Sequence, residues 1–233
     1  MATVLLLRHG RTTSNATGEL AGRRPVELDE TGRVQAARAG ERLRALPLAA
    51  VVTSPLLRCR QTVELALPDA VAVAEEGLTE CGYGDWEGQP LKKLAKDPLW
   101  PVVQLHPSAA VFPNGEAMAA MSARAVEAVR RWDARMTAER GPESLWLACS
   151  HGDVIKAIVA DAMGLHLDQF QRIVADPASI SVIRYTPTRP FIVRLNDTSD
   201  LASLVPPKSK RRHTGRPAEQ SDAAVGGGAG AGV

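Results

Sequence analysis

The sequence is poor in aromatic residues, in cysteine and in unbroken apolar runs. Phe, Tyr and Trp make up 4% of the 233 residues, too few for the stacking platforms on which single-stranded nucleic acids bind. The three cysteines, Cys59, Cys81 and Cys149, form no CxxC pair. An odd, scattered set fits neither a disulfide framework nor a zinc knuckle. It reads as buried free thiols in a reducing compartment, and so as a cytoplasmic protein. No stretch reaches the roughly 18 apolar residues of a membrane span, and the longest candidate, 46–57, is cut by Pro47, Thr53, Ser54 and Pro55. The apolar start runs into Arg8 without a basic region before it, which is not the pattern of a signal peptide. Neither sign of charge dominates. Lys plus Arg is 28 against 26 for Asp plus Glu, a net +2, which argues against a dedicated polyanion binder.

What is present is an ordinary globular composition, 45% hydrophobic and 23% charged, at a length that favours one large domain. Apolar periodicity is sustained to about residue 205. Beyond it come Pro206-Pro207, a Lys/Arg cluster and a Gly/Ala-rich end. Lys208, Lys210, Arg211, Arg212 and Arg216 stand against only Glu219 and Asp222, so this tail carries +3 and the body −1. The reading is a catalytic domain over 1–205 and a disordered basic tail over 206–233, the tail being the one candidate contact for nucleic acid. The oligomeric state is open.

The body alternates strand-like and helix-like segments. Val4 to Leu7 is a short apolar run of the kind buried on both faces. Asp29-Glu30-Thr31-Gly32 opens a helix that reaches Leu46. Ala50 to Thr53 is a second strand, and Ser54-Pro55 predicts an N-cap and first helical residue for a helix to Leu67. Val71 to Ala74 is a third strand. Asn114-Gly115-Glu116 opens a long helix to Arg140, and Leu145 to Cys149 is a strand before a helix over 153–163. Segments 179–185 and 191–196 read as a hairpin. This alternation predicts an α/β fold, a three-layer sandwich with a mainly parallel central sheet and helices on both faces.

In such sheets ligands bind off the carboxyl ends of the strands. The first strand is followed by Arg8-His9-Gly10-Arg11-Thr12, the second by Ser54 to Arg58, the fourth by Ser150-His151-Gly152-Asp153. Three strand ends deliver His or Arg to one edge. Buried cations are costly without a partner, and phosphate is the anion that Arg forks and helix N-termini grip best. No GxSxG, P-loop, GxGxxG or HExxH motif is present. Two His with Arg and no metal signature suggest a His nucleophile: neutral imidazole attacks phosphorus while a second His, protonated by the phosphate, donates to the transferring group.

Four segments in order resemble the histidine phosphatase superfamily in its phosphoglycerate-mutase-like branch. They are Arg8-His9-Gly10-Arg11-Thr12 with Asn15, Ser54 to Thr62, Leu78 to Gly88, and Ser150-His151-Gly152. The similarity covers roughly residues 3 to 196. It implies that His9 is the nucleophile, that Arg8, Arg58 and His151 bind phosphoryl oxygens, and that Asn15 adds a neutral donor. Glu80 would protonate the leaving oxygen and then activate water, in preference to the nearby Asp85 and Glu87, with Glu87 fixing the loop. Trp86 reads as core. The sequence departs from the family at Arg11, where Glu or Gln is usual, and at Ala21, which leaves the Gly22 backbone N–H as the remaining donor there. Arg23, Arg24 and Tyr83 are the candidates for contact with the rest of the substrate.

The resemblance admits a phosphatase or a mutase, both passing through phospho-His9. The stretch between Gly88 and Pro113 is short and offers Lys92, Lys93 and Lys96 but no Arg pair, whereas mutases of the family carry a longer segment with paired Arg. The expectation is therefore a metal-independent, cofactor-free phosphomonoesterase for a small phosphorylated metabolite, with a phosphomutase as the alternative and a catalytically silent binding module third.

Overall fold

Val4 to Leu7 are buried on both faces, and the layers are built around them. In the computed structural model, which describes residues 1–199, β1 (Thr3–Arg8) lies between β4 (Leu145–Ser150) and β5 (Ile180–Arg184). With β2 (Leu48–Thr53), β3 (Ala72–Ala74) and β6 (Phe191–Asp197) they form a six-stranded sheet in the order β3-β2-β4-β1-β5-β6. Strands β1 to β4 are parallel, β5 is antiparallel to β1, and β6 closes the expected hairpin with β5. The expected tail over 206–233, and with it the domain limit at 205, lies outside the described residues.

The helices are α1 (Thr13–Thr17), α2 (Glu30–Leu43), α3 (Leu57–Ala66), α4 (Leu91–Leu94), α5 (Trp100–Leu105), α6 (Met118–Arg140) and α7 (Gly152–Ala162). Alternation along β1 sorts its side chains between two layers. Leu5 and Leu7 pack with Ala39 and Leu43 of α2 and with Cys59 and Val63 of α3. Val4 and Leu6 join Val129 and Trp132 of α6 and Ile158 of α7 on the other face. Burying each large apolar side chain contributes about 1.5–3 kcal/mol relative to leaving it exposed. The three cysteines are free and buried. Among the described residues no helix is long and apolar enough to cross a membrane.

Several boundaries differ from expectation. Helix α2 starts where predicted, with Asp29 Oδ1 accepting from the Gly32 N–H at 2.7 Å, but ends at Leu43, and Leu46 sits in the turn beyond. Helix α3 begins at Leu57, with Leu56 rather than Ser54 at the N-cap, and the Ser54 hydroxyl meets His151 Nε2 and accepts from the Leu56 N–H in the turn before the helix. Helix α6 begins at Met118. Asn114 has a φ of 54°, so 114–116 turn before the helix rather than opening it. Strand β3 is a short, exposed edge. Helices α4 and α5 occupy a stretch given no structure from sequence.

The ends of three strands are level. Arg8 lies opposite Ser150 in the β1–β4 ladder, and Thr53 opposite Cys149 in the β2–β4 ladder. The pairing continues one step further, His9 N–H to Ser150 O at 3.0 Å and Ser54 N–H to Cys149 O at 2.9 Å. After β1 the chain passes to α2 on one face, and after β4 to α7 on the other. That divergence between adjacent strands opens the crevice in which α/β sheets hold ligands.

Candidate active site

His9 is the first residue past β1 and is buried. The turn that follows it is locked by close backbone approach: a Cβ on Gly10 would collide with the Gly32 carbonyl, and the Gly10 N–H donates to Thr62 Oγ1 at 3.0 Å. His9 Nδ1 lies 2.7 Å from the Gly10 carbonyl oxygen. A carbonyl only accepts, so Nδ1 carries the proton and Nε2 presents its lone pair. Arg58, on the first turn of α3, donates its Nε–H to that Nε2 at 3.2 Å. Burial, and then the charges of Arg58 and Arg8, push the His9 pKa well below its ordinary value. The ring is therefore neutral at neutral pH.

Arg58 is itself buried and held by two carbonyls, Gly22 O at 2.7 Å and Arg24 O at 3.3 Å. Gly22 is thus present at the site through its carbonyl, which positions the guanidinium. Asn15 forms a capping box with Thr12 at the start of α1, its Oδ1 accepting from the Thr12 N–H at 3.0 Å. With Oδ1 so used, Nδ2 is the atom left to donate toward the cavity.

His151 caps the N-terminus of α7 and is fully buried. Its Nε2 is 2.7 Å from Ser54 Oγ and its ring lies 5.2 Å from that of His9. Its pKa is also pushed well below normal, by burial and then by Arg58 and His9. Arg8, at the end of β1, donates Nη1 to Ala175 O at 2.7 Å, and burial lowers its pKa to about 10. The two guanidinium charges sit close enough to repel one another and to keep both imidazoles unprotonated, and an incoming dianion offsets that repulsion.

Glu80 faces this cluster from the loop after β3. It is buried, and its Oε1 accepts from the Cys81 N–H at 2.9 Å. Burial, then the charge of Asp153, raises its pKa to about 7, against the opposing pull of Arg58 and Arg8. A carboxyl of this kind populates both protonation states near neutral pH and can both give and take a proton.

His9, Asn15, Gly22, Arg58, Glu80 and Tyr83 line one cavity of about 160 Å³, with Leu20, Ala21 and Leu91 among its other walls. Arg8 and His151 stand behind that wall rather than in it. Tyr83 is fully buried and donates its hydroxyl to Asp153 Oδ2 at 2.7 Å. Arg23 and Arg24 do not line the cavity. Arg23 pairs with Glu116 at 2.9 Å, and Arg24 is exposed with its guanidinium over Gly88. Arg11 likewise turns away, in an ion pair with Asp29 at 2.7 Å. Glu87 does fix its loop, accepting from the Tyr83 N–H at 3.1 Å, and Trp86 is core, stacked on Trp100. From sequence Ser54 is expected only as an N-cap and Thr62 has no expected role, although both lie inside the matched segment. Their hydroxyls orient His151 and the turn after His9. Among the described residues no group of three or more His, Cys, Asp or Glu side chains is gathered to hold a metal.

Residues 4–198 match the model of the histidine phosphatase superfamily, branch 1. The chain is 33% identical over 184 residues to an acid phosphatase of Mycobacterium tuberculosis, covering 77% of this chain and 84% of that one. It is 27% identical over 179 residues to a 2,3-bisphosphoglycerate-dependent phosphoglycerate mutase of Gloeobacter violaceus, covering 74% and 81%. Among solved structures, YhfR of Bacillus stearothermophilus superposes with a TM-score of 0.77 at 28% identity, covering 84% of this chain and 98% of that one.

Proposed function

The chain belongs to the histidine phosphatase superfamily, branch 1, and we propose that it is a phosphatase for a small phosphorylated metabolite, working through a phosphohistidine on His9. The observation that carries this reading is the pairing, in the wall of one cavity, of a neutral His9 whose unprotonated Nε2 is held by the Arg58 Nε–H with a Glu80 carboxyl whose pKa of about 7 lets it give and take a proton near neutrality.

The chemistry then runs in two balanced steps. His9 Nε2 attacks phosphorus as the ester P–O bond breaks, and Glu80 gives its proton to the departing oxygen. The positive charge that develops on the imidazole is shared through Nδ1–H with the Gly10 carbonyl. In the second step the Glu80 carboxylate takes a proton from water as that water attacks phosphorus, and the P–N bond breaks with its electron pair returning to His9 Nε2. Phosphate leaves, and both residues return to their starting states. Arg58 and Asn15 Nδ2 take the charge on the equatorial oxygens from the cavity wall, and Arg8 and His151 add their field from behind it.

Magnitudes favour a cage of this size. Phosphate monoester hydrolysis can need up to about 10²¹-fold acceleration. Positioning supplies at most about 7–11 kcal/mol of it, so charge stabilisation must supply much of the rest.

Hydrolysis is favoured over a mutase reaction by the placement of Arg23 and Arg24. A mutase must hold a second anionic group while the phosphoryl group waits on His9, and neither arginine lines the cavity. The test is a panel of phosphorylated metabolites scored for released phosphate, with His9→Ala as control. Interconversion of 2- and 3-phosphoglycerate faster than phosphate release from any monoester contradicts the proposal.

A further inference from the structure

Among the described residues no side-chain hydrogen bond aims the Glu80 carboxyl. Its Oε1 takes only the N–H of the next residue. Its direction must come from the backbone that carries it, and that backbone is held in an unusual way. The Glu80 carbonyl accepts from two guanidinium groups, Arg23 Nε at 3.0 Å and Arg124 Nη2 at 3.1 Å.

Arg124 projects from the 23-residue helix α6. Its Nη1 spans two further carbonyls of the same loop, Gly77 O at 2.9 Å and Thr79 O at 2.6 Å. Its Nε and Nη2 both reach the Glu116 carboxylate, at 2.7 and 2.9 Å. Every one of the five N–H donors of a guanidinium is used. Glu116 Oε2 also accepts from Arg23 Nη2 at 2.9 Å and from the Gly82 N–H at 3.2 Å. The Glu116 N–H in turn donates to Gly82 O at 2.7 Å. Helix α6 comes close enough for this only because residue 77 has no side chain: a Cβ there would meet Ala128 Cβ at 2.5 Å.

We propose that Arg124, Glu116 and Arg23 form a positioning frame for the catalytic acid, fixing the 77–82 loop so that the Glu80 carboxyl meets the leaving oxygen. This rests on the reading of Glu80 as the acid. Arg124 and Glu116 belong to α6 and the turn before it, elements that contribute nothing to the phosphate cage, while Arg23 reaches them from the loop whose Gly22 and Arg24 carbonyls hold Arg58. Loosening it therefore affects proton delivery more than phosphate binding. Lys cannot replace Arg124, since one ammonium has three donors and no planar fork.

The experiment uses the full chain and two substrates. p-Nitrophenyl phosphate has a leaving group that departs with little help from an acid. β-Glycerophosphate releases an alkoxide that needs the proton. Glu80→Gln sets the scale and is expected to lose about 10²–10⁴-fold in kcat on the alkyl ester, with a much smaller loss on the aryl ester. If Glu80→Gln shows no such difference, the acid assignment itself fails.

Given that difference, Arg124→Met and Arg124→Lys are both expected to lose at least tenfold more kcat on β-glycerophosphate than on p-nitrophenyl phosphate. KM should change less than threefold. Arg124→Met combined with Glu80→Gln should be no slower than Glu80→Gln alone, because the frame has nothing left to position. Arg23 is half exposed, so Arg23→Ala is the variant that keeps the test open if Arg124 variants misfold. It should show the same selective loss, at about threefold or more. Equal losses on both substrates, or additive losses in the double variant, would overturn the proposal. A KM increase in place of the kcat loss for Arg23→Ala would instead make that residue a substrate contact.

Discussion

Arg58 Nε donates to His9 Nε2 at 3.2 Å, on the atom proposed to bond phosphorus. A cation directed at the lone pair of the nucleophile keeps the imidazole unprotonated and aims it. As a phosphoryl group arrives, the same guanidinium is adjacent to the oxygens that gain charge, so it passes from holding the nucleophile to stabilising the transition state. Its other two nitrogens are tied to Gly22 and Arg24 carbonyls, which limits how far it travels.

Arg58→Lys tests that coupling. The ammonium keeps the charge and loses the fork that spans His9, Gly22 and Arg24. Loss of a preorganised donor of this kind costs about 10²–10³ in kcat. Steady-state rates on p-nitrophenyl phosphate, with circular dichroism to verify folding, measure it. Retention of more than a third of wild-type kcat would show that charge alone suffices.

The pH profile follows from two shifts of opposite direction. His9 is held well below its normal pKa, so no acid limb from the nucleophile falls near neutrality. Glu80 is raised to about 7, so the protonated acid is lost above that pH. We expect kcat/KM to fall with rising pH above about 7, and the limb to disappear in Glu80→Gln. A limb that persists in that variant belongs to another group.

Glu80 also links pH to stability. Its folded pKa lies above its unfolded value, so the folded state binds the proton more tightly. Its contribution is fully present below about 4.5 and is lost as pH rises through about 7. The shift corresponds to about 3 kcal/mol. Urea unfolding of wild type and Glu80→Gln at pH 4.5 and pH 8 should show the difference between them change by that order, in favour of the variant at pH 8. Parallel pH dependence would mean that Glu80 titrates normally in the folded protein.

The sheet was legible because its strands are local. Four apolar residues before Arg8 announce a strand buried on both faces, and the His and Arg after each strand end announce the edge where ligands bind. Short helices were not legible: α4 is a single turn, and α5 starts at Trp100-Pro101 without an apolar period. Asn114-Gly115-Glu116 resembles a helix start because the same residue types cap helices and make turns. Only the fold shows that Glu116 is spent on Arg23 and Arg124. The Arg124 contact to the Glu80 carbonyl spans 44 residues and leaves no trace in spacing. Arg11 and Arg23 were ambiguous for a related reason, since a surface arginine is defined by the carboxylate it meets.

Phosphoryl transfer to His9 leaves a covalent trace. Full-length protein mixed rapidly with a phosphomonoester and quenched into alkaline denaturant, which preserves phosphohistidine, can be digested and read by mass spectrometry. One phosphoryl group is expected on His9, absent in His9→Ala and longer-lived in Glu80→Gln. Turnover with no phosphorylated His9 at any time, or a phosphoryl group on His151 instead, would contradict it.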